Sequence, residues 1–252
     1  MRNRLIPRQF QADQDGESNP RNRQDTASAW DVVVLSFKLL FQRIQFWIRP
    51  NILSALLSLP VLTGPGAKAA LFHTVAAGLK DPAGSEVKVR QEMKQGFHAY
   101  FWKALLLSIL RLVSFAIILA SIYFWVTRPE IGVRFISILA FYGLVLWLFT
   151  SLYLYPILVS QPEAAVVDVV RKAIELAFRK PFESLLFAIV DSLLMIFGLA
   201  LLGPMMLIVP ALRSILSLQG YWFLIGEEIP GFLSIEAYAK RKYRENVRGT
   251  EK

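Results

Sequence analysis

The sequence predicts an all-α fold: a polytopic helical membrane protein of about six membrane segments, with two Gly-Pro-turn hairpins and interfacial amphipathic helices. Three observations predict it. Of the 252 residues 55% are hydrophobic and only 19% charged, where a soluble domain usually carries about 25% charged residues. The apolar residues come in long blocks: Arg111 alone breaks 104–126, and no charge falls within 135–159. The chain carries a net charge of +9, with 28 lysines and arginines, and these gather between the blocks as side chains facing an anionic membrane surface do.

A bilayer core about 30 Å thick is crossed by roughly 20 apolar helical residues. Blocks 104–126 and 135–159 meet that length directly. Two longer apolar regions are interrupted by turn chemistry, Leu62-Thr63-Gly64-Pro65-Gly66 and Leu202-Gly203-Pro204. Glycine admits tight-turn angles, and proline suits the first position of a following helix, where its missing N–H costs nothing. Each region therefore reads as a hairpin, 44–62 with 65–79 and 184–202 with 204–225. The arm 65–79 reaches only about 22 Å at ~1.5 Å per residue, so a full crossing and a re-entrant arm both stay open.

Lysine and arginine near span ends favour the cytoplasmic side. Counted along the chain there are eight before the first hairpin turn, none in it and six from Lys68 to Lys103. Two follow at Arg128 and Arg134, four at Arg171, Lys172, Arg179 and Lys180, none at Gly203-Pro204 and six after Ile225. This alternation places both termini and the loops around 80–103 and 160–183 in the cytoplasm, with both hairpin tips and loop 127–134 outside. The expected location is a plasma membrane.

The polar stretch 1–28 lacks the apolar core of a cleaved signal peptide and reads as a disordered cytoplasmic tail; 29–226 form the membrane domain and 227–252 a second cytoplasmic tail. Ser28 with Asp31 forms a capping-box pattern. Lys38, Gln42, Gln45 and Arg49 then share one helical face, which fits an interfacial helix running into the first span. The stretch 163–180 repeats the design, with Asp168, Arg171, Lys172, Glu175 and Arg179 on one side; such a helix lies flat on a membrane surface or docks a partner. Trp30, Trp47, Trp102, Trp125 and Trp222 fall near predicted span ends, as an aromatic belt expects. Ala67, Ala69, Ala70, Gly198 and Gly203 suit close helix packing.

Around the first turn, Asn51 precedes an apolar stretch that ends Leu59-Pro60-Val61-Leu62-Thr63-Gly64-Pro65 and is followed by Ala67, Ala69, Ala70 and Leu71. With Phe97 and Phe101 ahead of the next span, this resembles the YesL family of bacterial membrane proteins over roughly residues 45–110. The signature residues carried over are Asn51, Pro60, Thr63, Gly64 and Pro65. The family is a domain of unknown function often found near carbohydrate-uptake and polysaccharide-degradation systems. The resemblance thus implies a plasma-membrane protein with an accessory role in carbohydrate uptake, and no reaction.

An ionisable residue inside a span costs about 2.5–3.5 kcal/mol on insertion scales and calls for a partner, water or a task. Lys68, Arg111, Asp191 and Arg213 are the four candidates. Arg111 and Asp191 each lie seven residues into a span that starts from the cytoplasm, hence at one depth, and are expected to form an intramembrane ion pair. Lys68 and Arg213 each follow a Gly-Pro turn. With the partial positive charge of the helix N-termini they would make the outer half attractive to an anion, such as a uronic acid or a lipid phosphate; snorkelling to the headgroups is the plainer alternative. Asn51 is expected to hydrogen-bond across its own hairpin.

No Gly-x-Ser-x-Gly, His-Glu-x-x-His or Walker loop occurs, and cysteine is absent. The chain is therefore expected to be non-enzymatic and free of cofactor and metal. A haem held by the two histidines, His73 and His98, is the one cofactor geometry conceivable, and nothing else in the sequence suggests it. The expected partners are the lipid bilayer and a transport ATPase or other transporter subunits, with no role for nucleic acid. Glu163-Ala164-Ala165 opens a loop placed like the ATPase-docking loop of binding-protein-dependent permeases, but the glycine and Ile-x-Leu-Pro of that motif are missing. A transporter or permease subunit for a small anionic solute, and a structural or regulatory scaffold, stand beside the accessory reading.

Overall fold

The structure, a computed structural model, describes residues 28–80, 88–128, 130, 135–200, 207–227 and 229. The Gly203-Pro204 turn, Arg134 and the two tails up to 27 and from 230 lie outside the described residues. Every regular element among the described residues is helical: α1 (Ala29–Gln42), α2 (Ile44–Leu57), a 3-10 turn (Val61–Thr63), α3 (Gly64–Lys80), α4 (Val89–Val126), α5 (Ile136–Ser160), α6 (Val166–Arg179), α7 (Pro181–Ala200) and α8 (Val209–Ile225).

Helices α4, α5 and α7 are long and apolar enough to cross a membrane. Their apolar side chains lie largely outside the bundle, with Leu112 68%, Leu139 72% and Leu199 68% exposed, an apolar surface that lipid rather than water would cover. Helices α2, α3 and α8 have 14, 17 and 17 residues, about 21–26 Å at 1.5 Å per residue, short of the ~30 Å hydrocarbon core. Of the six expected segments, then, three have the full length.

Two of the short helices are the inner ones. On α3, Ala67, Ala69, Ala70 and Val75 are wholly buried, and on α8 so are Ala211, Ile215, Leu216 and Leu218. Small residues make this possible, because they let helix backbones approach closely where no water can be expelled to drive association. A methyl group on Gly96 of α4 would lie 2.9 Å from His73 Cβ and 3.1 Å from Ala70 Cα, and one on Gly198 of α7 would lie 3.0 Å from Val209 Cγ1.

The first turn differs from its expected form. Helix α2 ends at Leu57, before the expected 62, because Pro60 offers no N–H and disfavours the helical conformation of the residue ahead of it. The chain turns through Pro60 (φ −75°, ψ 122°) and the 3-10 turn. Gly64 has φ −51°, ψ −50° and open space where a Cβ would stand, so it starts α3 with ordinary helical angles and its conformational freedom is not used. Thr63 Oγ1 donates to the Leu57 and Pro60 carbonyls. Beyond the turn α2 and α3 run side by side: Ser54 Oγ donates to Ala67 O (3.3 Å), and Arg43 just before α2 donates to Gly78 O near the end of α3 (3.2 Å).

The capping box forms as expected, with Ser28 N–H donating to Asp31 Oδ2 (2.8 Å) and Asp31 N–H to Ser28 Oγ (3.3 Å). Ser28 Oγ also donates to Asp31 Oδ2 (2.8 Å), and the bonds that the Ser28 backbone and hydroxyl donate to the carboxylate, the backbone one foremost, hold the Asp31 carboxyl below its ordinary range. Helix α1 is more than an interfacial helix, because its apolar face packs against α8; inside that contact Ser36 Oγ lies 2.6 Å from Gln219 Oε1. Helix α6 buries Val169, Ala173, Leu176 and Ala177 and turns Arg171, Lys172, Glu175 and Arg179 outward. Lys103 Nζ of α4 ties the segment before it, donating to Pro162 O (2.5 Å) and Ala164 O (3.1 Å). Trp30 and Trp102 are exposed, as belt residues would be. Trp47 and Trp222 are core residues, 1% and 3% exposed, and Trp47 Nε1 donates to Leu39 O (3.1 Å).

Candidate functional site, a cation-lined cavity

The four ionisable residues within the apolar helices converge. Lys68 from α3, Arg111 from α4, Asp191 from α7 and Arg213 from α8 all line one cavity of about 780 Å³. Their surroundings are mostly apolar and aromatic: Phe72, Phe115, Trp147, Leu152 and Tyr155, with Ser151 and Ser192 adding hydroxyls. The volume is that of pockets taking drug-sized ligands, roughly 300–1,000 Å³, which are typically apolar with a few fixed polar groups.

The pairing differs from the expected one. Asp191 is bound by Arg213, not by Arg111: Arg213 Nε donates to Oδ1 and its terminal nitrogen to Oδ2, both at 2.7 Å. The physical reason is adjacency. Gly198 and Val209 bring α7 and α8 into contact, so Arg213 presents its planar fork to the carboxylate in bidentate geometry, the strongest form of this contact. Equal depth alone, the basis for expecting Arg111, does not fix which neighbour faces Asp191.

Arg111 instead lies over the Trp147 ring, its Cζ 5.2 Å from the centroid. Trp147 is held there by its own Nε1–H, which donates to Ser114 Oγ (3.0 Å) and Arg111 O (3.3 Å), and by stacking on Phe115. Lys68 lies over Tyr155, its Nζ 4.6 Å from the centroid. Both contacts fall within cation–π range, which offsets part of the cost of burial but neutralises no charge. Among the described residues neither Lys68 nor Arg111 has a carboxylate within ion-pair distance. The cavity thus holds three cations against one carboxylate, and that carboxylate is already bound on both oxygens.

Asn51 also lines the cavity, but its amide donates to Leu207 O, ahead of α8, rather than across its own hairpin; its Oδ1 has no partner among the described residues. Pro60, Thr63 and Pro65 act at the turn, and of the signature residues only Asn51 and Gly64 reach the cavity wall. His73 faces Glu92 (3.5 Å) and the Tyr100 ring, while His98 meets Lys94 O (2.8 Å), so the two histidines serve different neighbours. Reading the sequence for belts overlooked Trp147 and Tyr155. For Trp147 the signal was its position in mid-block, where a belt residue has no reason to be; Tyr155, near the end of the same block, offered no such signal.

Together these features define, among the described residues, an all-helical fold in which helices long and apolar enough to cross a membrane line a cavity with excess positive charge. No family model, curated protein or solved structure matches the chain, so the resemblance at 45–110 rests on its own residues.

Proposed function

We propose that this chain is a non-enzymatic, multi-pass membrane protein that holds a small organic anion in the cavity between α3, α4, α5, α7 and α8, as a carrier or as the solute-binding subunit of one. The observation that carries this reading is the pair of cations, Lys68 and Arg111, that face the cavity with aromatic rings beneath them and no carboxylate beside them. Leaving a charge uncompensated in a span is costly, and an anion from outside the chain is the compensation the site lacks.

The alternation of basic loops supports both termini on the cytoplasmic side, and the resemblance at 45–110 supports a bacterial plasma membrane. Helices α2, α3 and α8 complete six membrane segments in this reading, the short inner ones being screened from lipid by the longer ones. The test is titration of the detergent-purified chain with glycerol 3-phosphate and with glucuronate. Losing one charge-assisted hydrogen bond of about 1.5–3 kcal/mol weakens binding about ten- to a hundredfold, and that is the loss expected for both Lys68→Gln and Arg111→Gln. Equal affinity of the wild type and both variants for both anions would refute the reading.

The resemblance at Asn51, Pro60, Thr63, Gly64 and Pro65 favours a second reading, an accessory component of carbohydrate uptake. Co-purification with a transport ATPase or a solute-binding protein would support it.

A further inference from the structure

The cavity's wall and its opening narrow the class of anion; this inference rests on the reading of the cavity as an anion site. The charged groups occupy only part of the surface. Around the rest stand Phe72, Phe115, Leu152 and, at the edge, Leu148, Met195 and Ile196. Those three edge residues are 40%, 55% and 62% exposed and belong to α5 and α7, two helices long and apolar enough to cross a membrane. An opening onto water is ordinarily rimmed by polar side chains, whereas a rim of Leu148, Met195 and Ile196 faces hydrocarbon. The volume of about 780 Å³ also far exceeds what a bare phosphate or carboxylate fills, and such an ion would leave the aromatic wall without a partner.

We infer that the cavity takes an amphipathic anion, a phosphate-bearing headgroup with an apolar body. It enters sideways from the bilayer past Leu148, Met195 and Ile196, so that the phosphate meets Lys68 and Arg111 and the apolar part lies along the aromatic wall and the rim. No bond is made or broken. The phosphate replaces water at the two cations, and Arg213 keeps Asp191.

The experiment titrates the full chain in detergent with three probes: dihexanoyl phosphatidic acid, dihexanoyl phosphatidylcholine with the same chains on a zwitterionic head, and glycerol 3-phosphate with the same phosphate and no chains. Burial of even part of the acyl chains is expected to make phosphatidic acid bind at least about tenfold tighter than glycerol 3-phosphate. The charge of the head is expected to make it bind about tenfold tighter than phosphatidylcholine. Arg111→Gln should reduce the affinity for phosphatidic acid by a similar factor. Ile196→Trp, which narrows the rim and leaves the charges in place, should do so as well.

If glycerol 3-phosphate binds as tightly as phosphatidic acid and Arg111→Gln weakens both, the anion site stands and the lipid inference falls. Equal binding of phosphatidylcholine and phosphatidic acid would also overturn it. If neither phosphate probe binds, the lipid inference falls, and the anion site falls with it when glucuronate fails to bind as well. Should Arg111→Gln fail to fold, the Ile196→Trp arm decides, since undiminished binding of phosphatidic acid there would refute the sideways route.

Discussion

Among the described residues Asp191 holds the only carboxylate in the cavity wall, and both its oxygens are committed to Arg213. Removing one partner of a fully buried ion pair typically costs about 3–5 kcal/mol, because the other charge is left without compensation; this pair is part-buried, which puts its cost below that range. Asp191→Ala is therefore expected to lower the unfolding midpoint sharply, and adding Arg213→Ala should return much of the loss. Adding Arg111→Ala should return far less. A double-mutant cycle read by thermal unfolding in detergent separates the two pairings. A larger coupling of Asp191 to Arg111 than to Arg213 would contradict the geometry. At this scale the sequence was half legible: all four charges stood out against their apolar blocks and do meet, yet the partner choice was hidden, since it depends on which helices touch. Asn51 repeats the pattern, because a polar residue in an apolar stretch advertises a bond without saying to whom.

Among the helices, α3 and α4 make the most extensive contact in the described residues, and Gly96 sits within it with His73 Cβ and Ala70 Cα at the edge of its surface. Overpacking a tight contact costs about 1–3 kcal/mol, so Gly96→Ala should destabilise by that amount. Gly143 of α5 has nothing within 4 Å of its absent Cβ; there alanine should stabilise by up to about 1 kcal/mol through helix propensity. Paired melts of the two variants would show opposite signs, and a shift of the same sign in both would refute the packing account. Helix boundaries were readable where a capping pair marks them, as at Ser28 with Asp31. They were misplaced where turn residues suggested more than they do, as at Gly64, which is a helical residue. Trp47 and Trp222 were misread for a related reason: position near a segment end does not say whether a ring faces lipid or a neighbouring helix.

At the scale of the molecule, the apolar faces of α4, α5 and α7 are exposed while the polar groups of the cavity are turned inward, the reverse of a fold built for water. The chain should accordingly stay in the membrane pellet through a carbonate wash at high pH and come into solution only with detergent. Its appearance in the wash would show that lipid does not cover these faces. The membrane class was legible from block length alone, because hydrocarbon thickness sets a length that no soluble helix needs. The inner helices were not separable from the outer ones in that way: α3 and α8 are mainly apolar apart from Lys68, Arg213 and a few polar side chains, and hydropathy cannot distinguish protein from lipid as the cover.

The 38 residues of α4 run without a break from Val89 to Val126, about 57 Å, roughly twice the thickness of a bilayer's hydrocarbon core. Arg111 lies 22 residues along this rod, so its guanidinium and the Val89 end are rigidly joined across about 33 Å, and a 5° tilt of the helix about that end would carry Arg111 by roughly 3 Å. A lever of that length needs no hinge of its own: whatever shifts its first turns, which pack through Gly96 against His73 and Ala70 of α3, has mechanical access to the charge in the cavity.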